Sequence, residues 1–178
     1  ALLQQEISRF HPDVVLVAAG RWEVESRRPA AGAAWTDLGQ PADRAYVRSE
    51  LQLAGDLARA GGAGLALATA PCFASGEQPD GSAWPEDSAG RRDAYNRLVR
   101  AVAAGAGPGA AVVDLGSMVC PGGRFRAAVA GVTVRAPDGV HYPFFSISDP
   151  GQADPDTETQ AEAFGMWIAP QVLAALGS

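Results

Sequence analysis

Hydrophobic and polar positions alternate between two periods along the chain. Leu2, Leu3, Ile7 and Phe10 recur at helical spacing over residues 2–11, and Pro12 closes the run. "DVVLVAAG" (13–20) then drops that period for a short β-branched block, the pattern of a strand buried on both faces. A Pro/Gly/Ala-rich loop (24–42) leads to a helix over 43–60, whose Leu51, Ala54, Leu57 and Ala58 form one stripe and which Gly61–Gly62 end. "GLALATA" (64–70) reads as a second strand stopped by Pro71, followed by a long loop (71–89) that contains Trp84. A helix over 90–105 points Leu98, Val99 and Val102 inward, and "AAVVDL" (110–115) is a third strand. After a second long loop (116–156), the last helix (157–176) opens with Thr157-x-x-Gln160, a capping-box spacing, and Pro170 is expected to kink it.

Short buried strands separated by helices predict an α/β fold, a three-layer sandwich with a parallel sheet flanked by helices. The length of 178 residues fits one domain, and no internal repeat or low-complexity segment divides it. By chain order alone, a helix feeding the first strand implies an earlier strand outside residues 1–178. The start "ALLQQEISRF", without Met or a signal-like region, agrees with a piece of a longer chain.

Composition narrows the function more by exclusion than by indication. A hydrophobic fraction of 47% with 19% charged residues belongs to a folded domain. The net charge of −6 (14 basic, 20 acidic) and the absence of a Lys/Arg cluster beyond Arg27–Arg28 and Arg91–Arg92 leave no nucleic-acid footprint. No apolar run is long enough to span a bilayer, so this segment is expected to be soluble. Two distant histidines, with no CxxC or HxxxH spacing, offer no metal site. No GxGxxG or P-loop is present, and "GAGPGA" (105–110) precedes a strand, the wrong side for phosphate.

In open parallel α/β sheets, ligands bind beyond the carboxyl ends of the strands. The segments that follow strand ends here are "GRWE" (20–23), "PCF" (71–73), "GSMVCP" (116–121) and the loop with "DGVHYP" (138–143), so all are expected on one rim. Asp138, three residues before His141, can reach the imidazole and stabilise its protonated form if His141 takes a proton from a nucleophile. The alternative is an Asp capping an ordinary turn. Gly20 lets the backbone approach a substrate and offers an N–H to an oxyanion, Arg21 can pair with Glu23, and Trp22 can wall a pocket. The alternative there is a strand exit covered by an amphipathic Trp. Cys72 and Cys120 each follow a strand end; a disulfide, two buried thiols and one reactive thiol are all open.

Three blocks, "PDVVLVAAGRWEV", "YNRLVRAVAA…VVDLGSMVCPGG" and "DGVHYP…WIAPQVL", together cover nearly the whole chain. In this order they resemble the SGNH (GDSL-like) hydrolase superfamily, in particular the SGNH domain fused to the C-terminus of membrane acyltransferase-3 proteins of actinobacteria. The resemblance implies a Ser–His–Asp triad with Asp138 as orienting carboxylate and His141 as general base. Gly20 falls at the start of the family's G-x-N-D block, which here reads Gly20-Arg21-Trp22-Glu23. Trp22 replaces the oxyanion-binding Asn, which leaves a backbone N–H near Gly20 or the Arg21 side chain as substitutes. No G-D-S block occurs; Ser117 follows the third strand, and Ser26, Ser75 and Ser82 lie in loops.

The expectation is therefore part of a serine O-acyltransferase or esterase whose nucleophile lies outside residues 1–178. It would act without a cofactor on acyl, most often acetyl, esters of cell-surface carbohydrate. It would sit on the extracytoplasmic face, joined to a membrane acyltransferase domain in the same parent chain, with residues 144–160 as a lid or docking surface. The alternative is a non-catalytic α/β module that binds glycan or a membrane partner; a thiol-dependent enzyme would require a free Cys near His141.

Overall fold

The computed structural model describes residues 2–74, 78–136, 139–143 and 155–177, the side chains of 155–158 excepted. Helix α1 (Leu2–Phe10) leads into strand β1 (Val14–Val17), helix α2 (Pro41–Ala60) into β2 (Gly64–Ala68), and α3 (Ala89–Ala106) into β3 (Ala110–Val113). The three strands pair in parallel in the order β1-β2-β3, with Val15 beside Leu65 and Leu67 beside Val112. The fold is thus α/β, with a parallel sheet flanked by helices.

Period-two alternation splits the core by face. Val15, Leu65 and Leu67 point into a cluster with Ile7, Val47, Leu51, Tyr95 and Leu98, which belongs to α1, α2 and α3. Ala66, Ala68 and Val113 point the other way, toward Phe164, Ile168 and Val172 of the last helix, α5 (Pro155–Leu176). Of the three strands of this sheet, only the central one is buried along almost its whole length; β1 and β3 each have one buried residue. This is the burial expected when helices cover both faces but each outer strand has a neighbour on one side.

Local chemistry accounts for the boundaries. Pro41 occupies the first turn of α2, where its missing N–H costs nothing, so the helix starts earlier than the apolar stripe suggested. Its C-terminus is a Schellman turn: Gly62, at φ +79°, donates to Arg59 O at 3.0 Å, and Ala63 donates to Ala58 O at 2.9 Å. Helix α5 begins at Pro155 and continues through Pro170.

The expected loop 116–156 contains unforeseen structure. A short helix α4 (Leu115–Val119) follows β3 directly, and a hairpin pairs β4 (Ala128–Val129) with β5 (Val132–Thr133) in antiparallel fashion. Its two-residue turn, Ala130-Gly131, has positive φ at both positions (50° and 82°), the requirement of a type I′ turn. Ala is a poor residue for that conformation, so the sequence carries no hairpin signal there. Residues 144–154, most of the expected lid segment, lie outside the described residues, as does the Thr157 side chain.

Leu67 is fully buried in the central strand. Leu67→Ala is expected to lower the unfolding free energy by about 2–5 kcal/mol in urea titrations. Leu53→Ala, at a side chain 48% exposed, is expected to change it by less than about 0.5 kcal/mol. Equal effects would contradict the packing described.

Candidate functional site

The segments that leave the carboxyl ends of the strands do meet, and they meet on one stretch of chain. Residues 69–74 continue past β2, where no neighbouring strand among the described residues lies alongside most of them. Ala70 is held by the Asn96 side chain, which accepts from Ala70 N–H at 2.7 Å and donates to Ala70 O at 3.1 Å. Thr69 Oγ1 accepts the Gly116 N–H at 2.9 Å and donates to Asp114 Oδ1 at 2.9 Å. Ala74 N–H donates to Gly139 O at 3.1 Å. Arg135, only 2% exposed, donates to Cys72 O.

Cys72 and Cys120 form a disulfide with Cα atoms 6.2 Å apart, which ties the exit of β2 to the end of α4. With no free cysteine in the chain, a thiol nucleophile is removed from consideration. Beside the disulfide a cleft of about 300 Å³ opens, lined by Ala70, Asn96, Asp114 and Ser117 among others.

His141 reaches this rim on a tight turn. Gly139, at φ +71°, donates to Ala136 O at 3.0 Å, and Ala136 N–H donates to His141 O at 2.8 Å. The flanking residues pack on opposite sides of the sheet: Val140 against the α1–α3 core, Tyr142 against the α5 core. Tyr142 stacks near Phe164, with ring centroids 5.2 Å apart, and lies under the Arg135 guanidinium at 4.7 Å. Burial pushes the Tyr142 phenol up to about 12 against the opposing charge of Arg135. His141 is half-buried astride the sheet end. Asp138, its expected partner, lies outside the described residues.

The β1 exit differs from the expected oxyanion pocket. Gly20, at φ +145°, comes so close to β2's extension that an added Cβ would lie 2.4 Å from Ala70 Cβ. Its N–H is already engaged, donating to Glu23 Oε2 at 2.6 Å. Arg21 pairs with Asp87 at 2.5 Å rather than with Glu23, and its guanidinium lies 5.0 Å over the Phe73 ring. Trp22 is 67% exposed, so it does not wall an enclosed pocket. Both proposed oxyanion donors thus have partners within the chain. Burial first, and then the neighbouring Glu86 charge, raise the Glu25 carboxyl. With Glu23, Glu86 and Asp87 also nearby, this end of the rim is predominantly anionic.

Ser117, the serine nearest a strand end, donates to Asp114 Oδ2 at 3.0 Å. A hydroxyl whose proton rests on a carboxylate is not poised for transfer to an imidazole. Ser75 lies outside the described residues. Among the described residues, no cluster of three or more His, Cys, Asp or Glu side chains could hold a metal ion.

Sequence reasoning missed Asn96, Asp114, Arg135 and Tyr95. Asn96 and Arg135 act through partners 26 and 63 positions away, which no local pattern reveals. Tyr95 is fully buried beside Gly20, and its hydroxyl has no hydrogen-bond partner among the described residues. Burial, then the Glu23 charge, shift its phenol strongly upward, so it stays neutral.

A comparison with protein-family models finds no match for the chain, and one with curated proteins finds none either.

Gly20→Ala forces a side chain into Ala70 at an unfavourable φ and is expected to destabilise the fold by about 1–3 kcal/mol, read from urea midpoints. An unchanged midpoint would contradict the close approach. Asp114 supplies a pH signature. Burial raises its carboxyl, but hydrogen bonds from Thr69 and Ser117 and the Arg100 charge more than offset that, leaving it below the usual carboxylate range. Its stabilisation is therefore complete above the ordinary Asp value and lost as pH falls through the lowered one. The stability gap between wild type and Asp114→Asn is expected to be widest near neutrality and to close in acid; a constant gap would refute this.

Proposed function

We propose that residues 1–178 are part of an SGNH-type serine O-acyltransferase or esterase acting on acyl, most often acetyl, esters of cell-surface carbohydrate. The observation that carries the reading is the His141 turn, held over the carboxyl end of the sheet by the bond from Ala74 N–H to Gly139 O. That is where a general base must stand in an open parallel sheet. The finer fold in this proposal is the SGNH sandwich, with Asp138 and His141 as two members of a triad.

In the proposed cycle, a serine outside residues 1–178 attacks the acyl carbonyl while His141 takes its proton and Asp138 holds the imidazole. Collapse of the tetrahedral intermediate expels the donor's alcohol, which receives the proton from His141, and leaves an acyl-serine. An acceptor hydroxyl, or water in the esterase, then gives its proton to His141 and takes the acyl group, and His141 returns that proton to the departing serine oxygen. The carboxylates around Arg21 favour a neutral, hydroxyl-rich acceptor over an anionic one. The disulfide suits an oxidising compartment, in keeping with the extracytoplasmic face of the membrane and a membrane acyltransferase domain in the same parent chain. Among the described residues, no helix is long and apolar enough to cross a membrane.

Residues 1–178 alone are expected to hydrolyse p-nitrophenyl acetate no faster than their His141→Ala variant. In the longer chain the proposal requires, His141→Ala is expected to cost about 10³-fold or more in kcat. His141-dependent turnover by the isolated chain would sink the external serine; a longer chain indifferent to His141→Ala would sink the triad.

A second reading, a non-catalytic module binding glycan or a membrane partner, draws support from one observation. The Gly20 N–H and the Arg21 guanidinium are already satisfied by Glu23 and Asp87, as in a rim kept for structure rather than for an oxyanion.

A further inference from the structure

A groove of about 580 Å³ opens between α2 and α3, and it shares no lining residue with the cleft beside the disulfide. Its charged lining consists of Arg44, Arg48, Arg91 and Arg97, with Asp37 as the one carboxylate. In a chain of net charge −6, this collects four of the 14 basic residues in one concave site. Two of the four have evident structural work. Arg44 donates to Leu38 O and Gly39 O, both at 2.8 Å, and Arg91 donates to Val24 O and pairs with Asp37 at 2.6 Å. Those contacts pin the loop before α2 and fix the two guanidinium planes in place. Arg48 and Arg97 do nothing comparable: both are exposed, and neither has a hydrogen-bonding or ion-pairing partner among the described residues.

Arg44 and Arg48 stand four apart on α2 and share a face. Across the groove, Arg91 and Arg97 project from α3. Holding four guanidinium groups around one hollow is repulsive unless an anion occupies it, and Asp37 offsets only one of them. Guanidinium groups present planar forks of donors that match phosphate oxygens in bidentate fashion. A multiply charged phosphate group answers this excess better than a single carboxylate does.

We propose that the α2–α3 groove binds a ligand through a phosphate or diphosphate group, with Arg44 and Arg91 as fixed forks and Arg48 and Arg97 closing on the anion. The site is independent of the acyl-transfer reading. The same phosphate chemistry can come from a soluble diphosphate or from an anionic lipid headgroup.

The test titrates purified residues 1–178 with sodium pyrophosphate by calorimetry at low ionic strength. In parallel, sedimentation measures binding to phosphatidylcholine vesicles with and without phosphatidylglycerol. Arg48→Ala/Arg97→Ala removes two exposed side chains that have no hydrogen-bonding or ion-pairing partner among the described residues, and is expected to weaken pyrophosphate binding by at least about ten-fold. Arg48→Lys/Arg97→Lys, which keeps the charge and loses the forks, is expected to give an intermediate loss. Arg124→Ala/Arg126→Ala, an equal loss of charge at exposed positions elsewhere, is expected to leave binding unchanged. This pattern without vesicle binding supports a soluble ligand. The same pattern with vesicle binding that pyrophosphate displaces supports a headgroup. No pyrophosphate binding, an equal loss in the Arg124/Arg126 control, or vesicle binding indifferent to pyrophosphate would overturn the proposal.

Discussion

The rim of this domain depends on how the chain leaves its central strand. A strand that runs beyond its neighbours carries N–H and C=O groups that the sheet cannot satisfy, and burying them unpaired is costly. Here other elements supply the partners. The Asn96 amide takes both polar groups of Ala70, Gly116 and Asp114 meet at Thr69, Arg135 reaches Cys72, and Gly139 accepts from Ala74. The disulfide adds a covalent tie at Cys72. Because each partner comes from a different part of the sequence, the exit of β2 fixes α3, α4 and the His141 turn relative to one another. The position of the candidate base is thus a by-product of hydrogen-bond satisfaction in the strand next to it.

Electrostatics divides the molecule in a way its net charge conceals. At the β1 exit, carboxylates surround Arg21 and consume the donors a substrate oxyanion would need. On the helical face, arginines surround a hollow with one carboxylate among them. Arg27 joins the two regions: it pairs with the buried Asp43 at 3.2 Å and donates to Glu23 O at 2.8 Å, binding the loop after β1 to the first turn of α2. Arginine side chains reaching backbone carbonyls thus help to hold the long Pro/Gly/Ala-rich loop, whose Val24 and Leu38 are fully buried in the core.

What the sequence made legible follows from which interactions are local. The strands and the large helices could be read because burial on a face imposes a period on neighbouring residues. The pairing of Cys72 with Cys120 was within reach because each follows a strand end and consecutive parallel strands lie side by side. The hairpin was hidden because Ala130 adopts a conformation its side chain disfavours. The fate of Gly20 was hidden too: whether its N–H faces a substrate or Glu23 depends on a carboxylate folding back three residues, and the same residues permit either.

The disulfide encloses all of α3 and β3 within a covalent ring, since Cys72 lies before the helix and Cys120 after the strand that follows it. A single cut at the Gly107–Gly109 turn would open the polypeptide without separating its halves, and the central strand would still hold its neighbour on the β3 side. Structural integrity and chain continuity are therefore separable in this half of the domain. In a reducing medium they become the same thing.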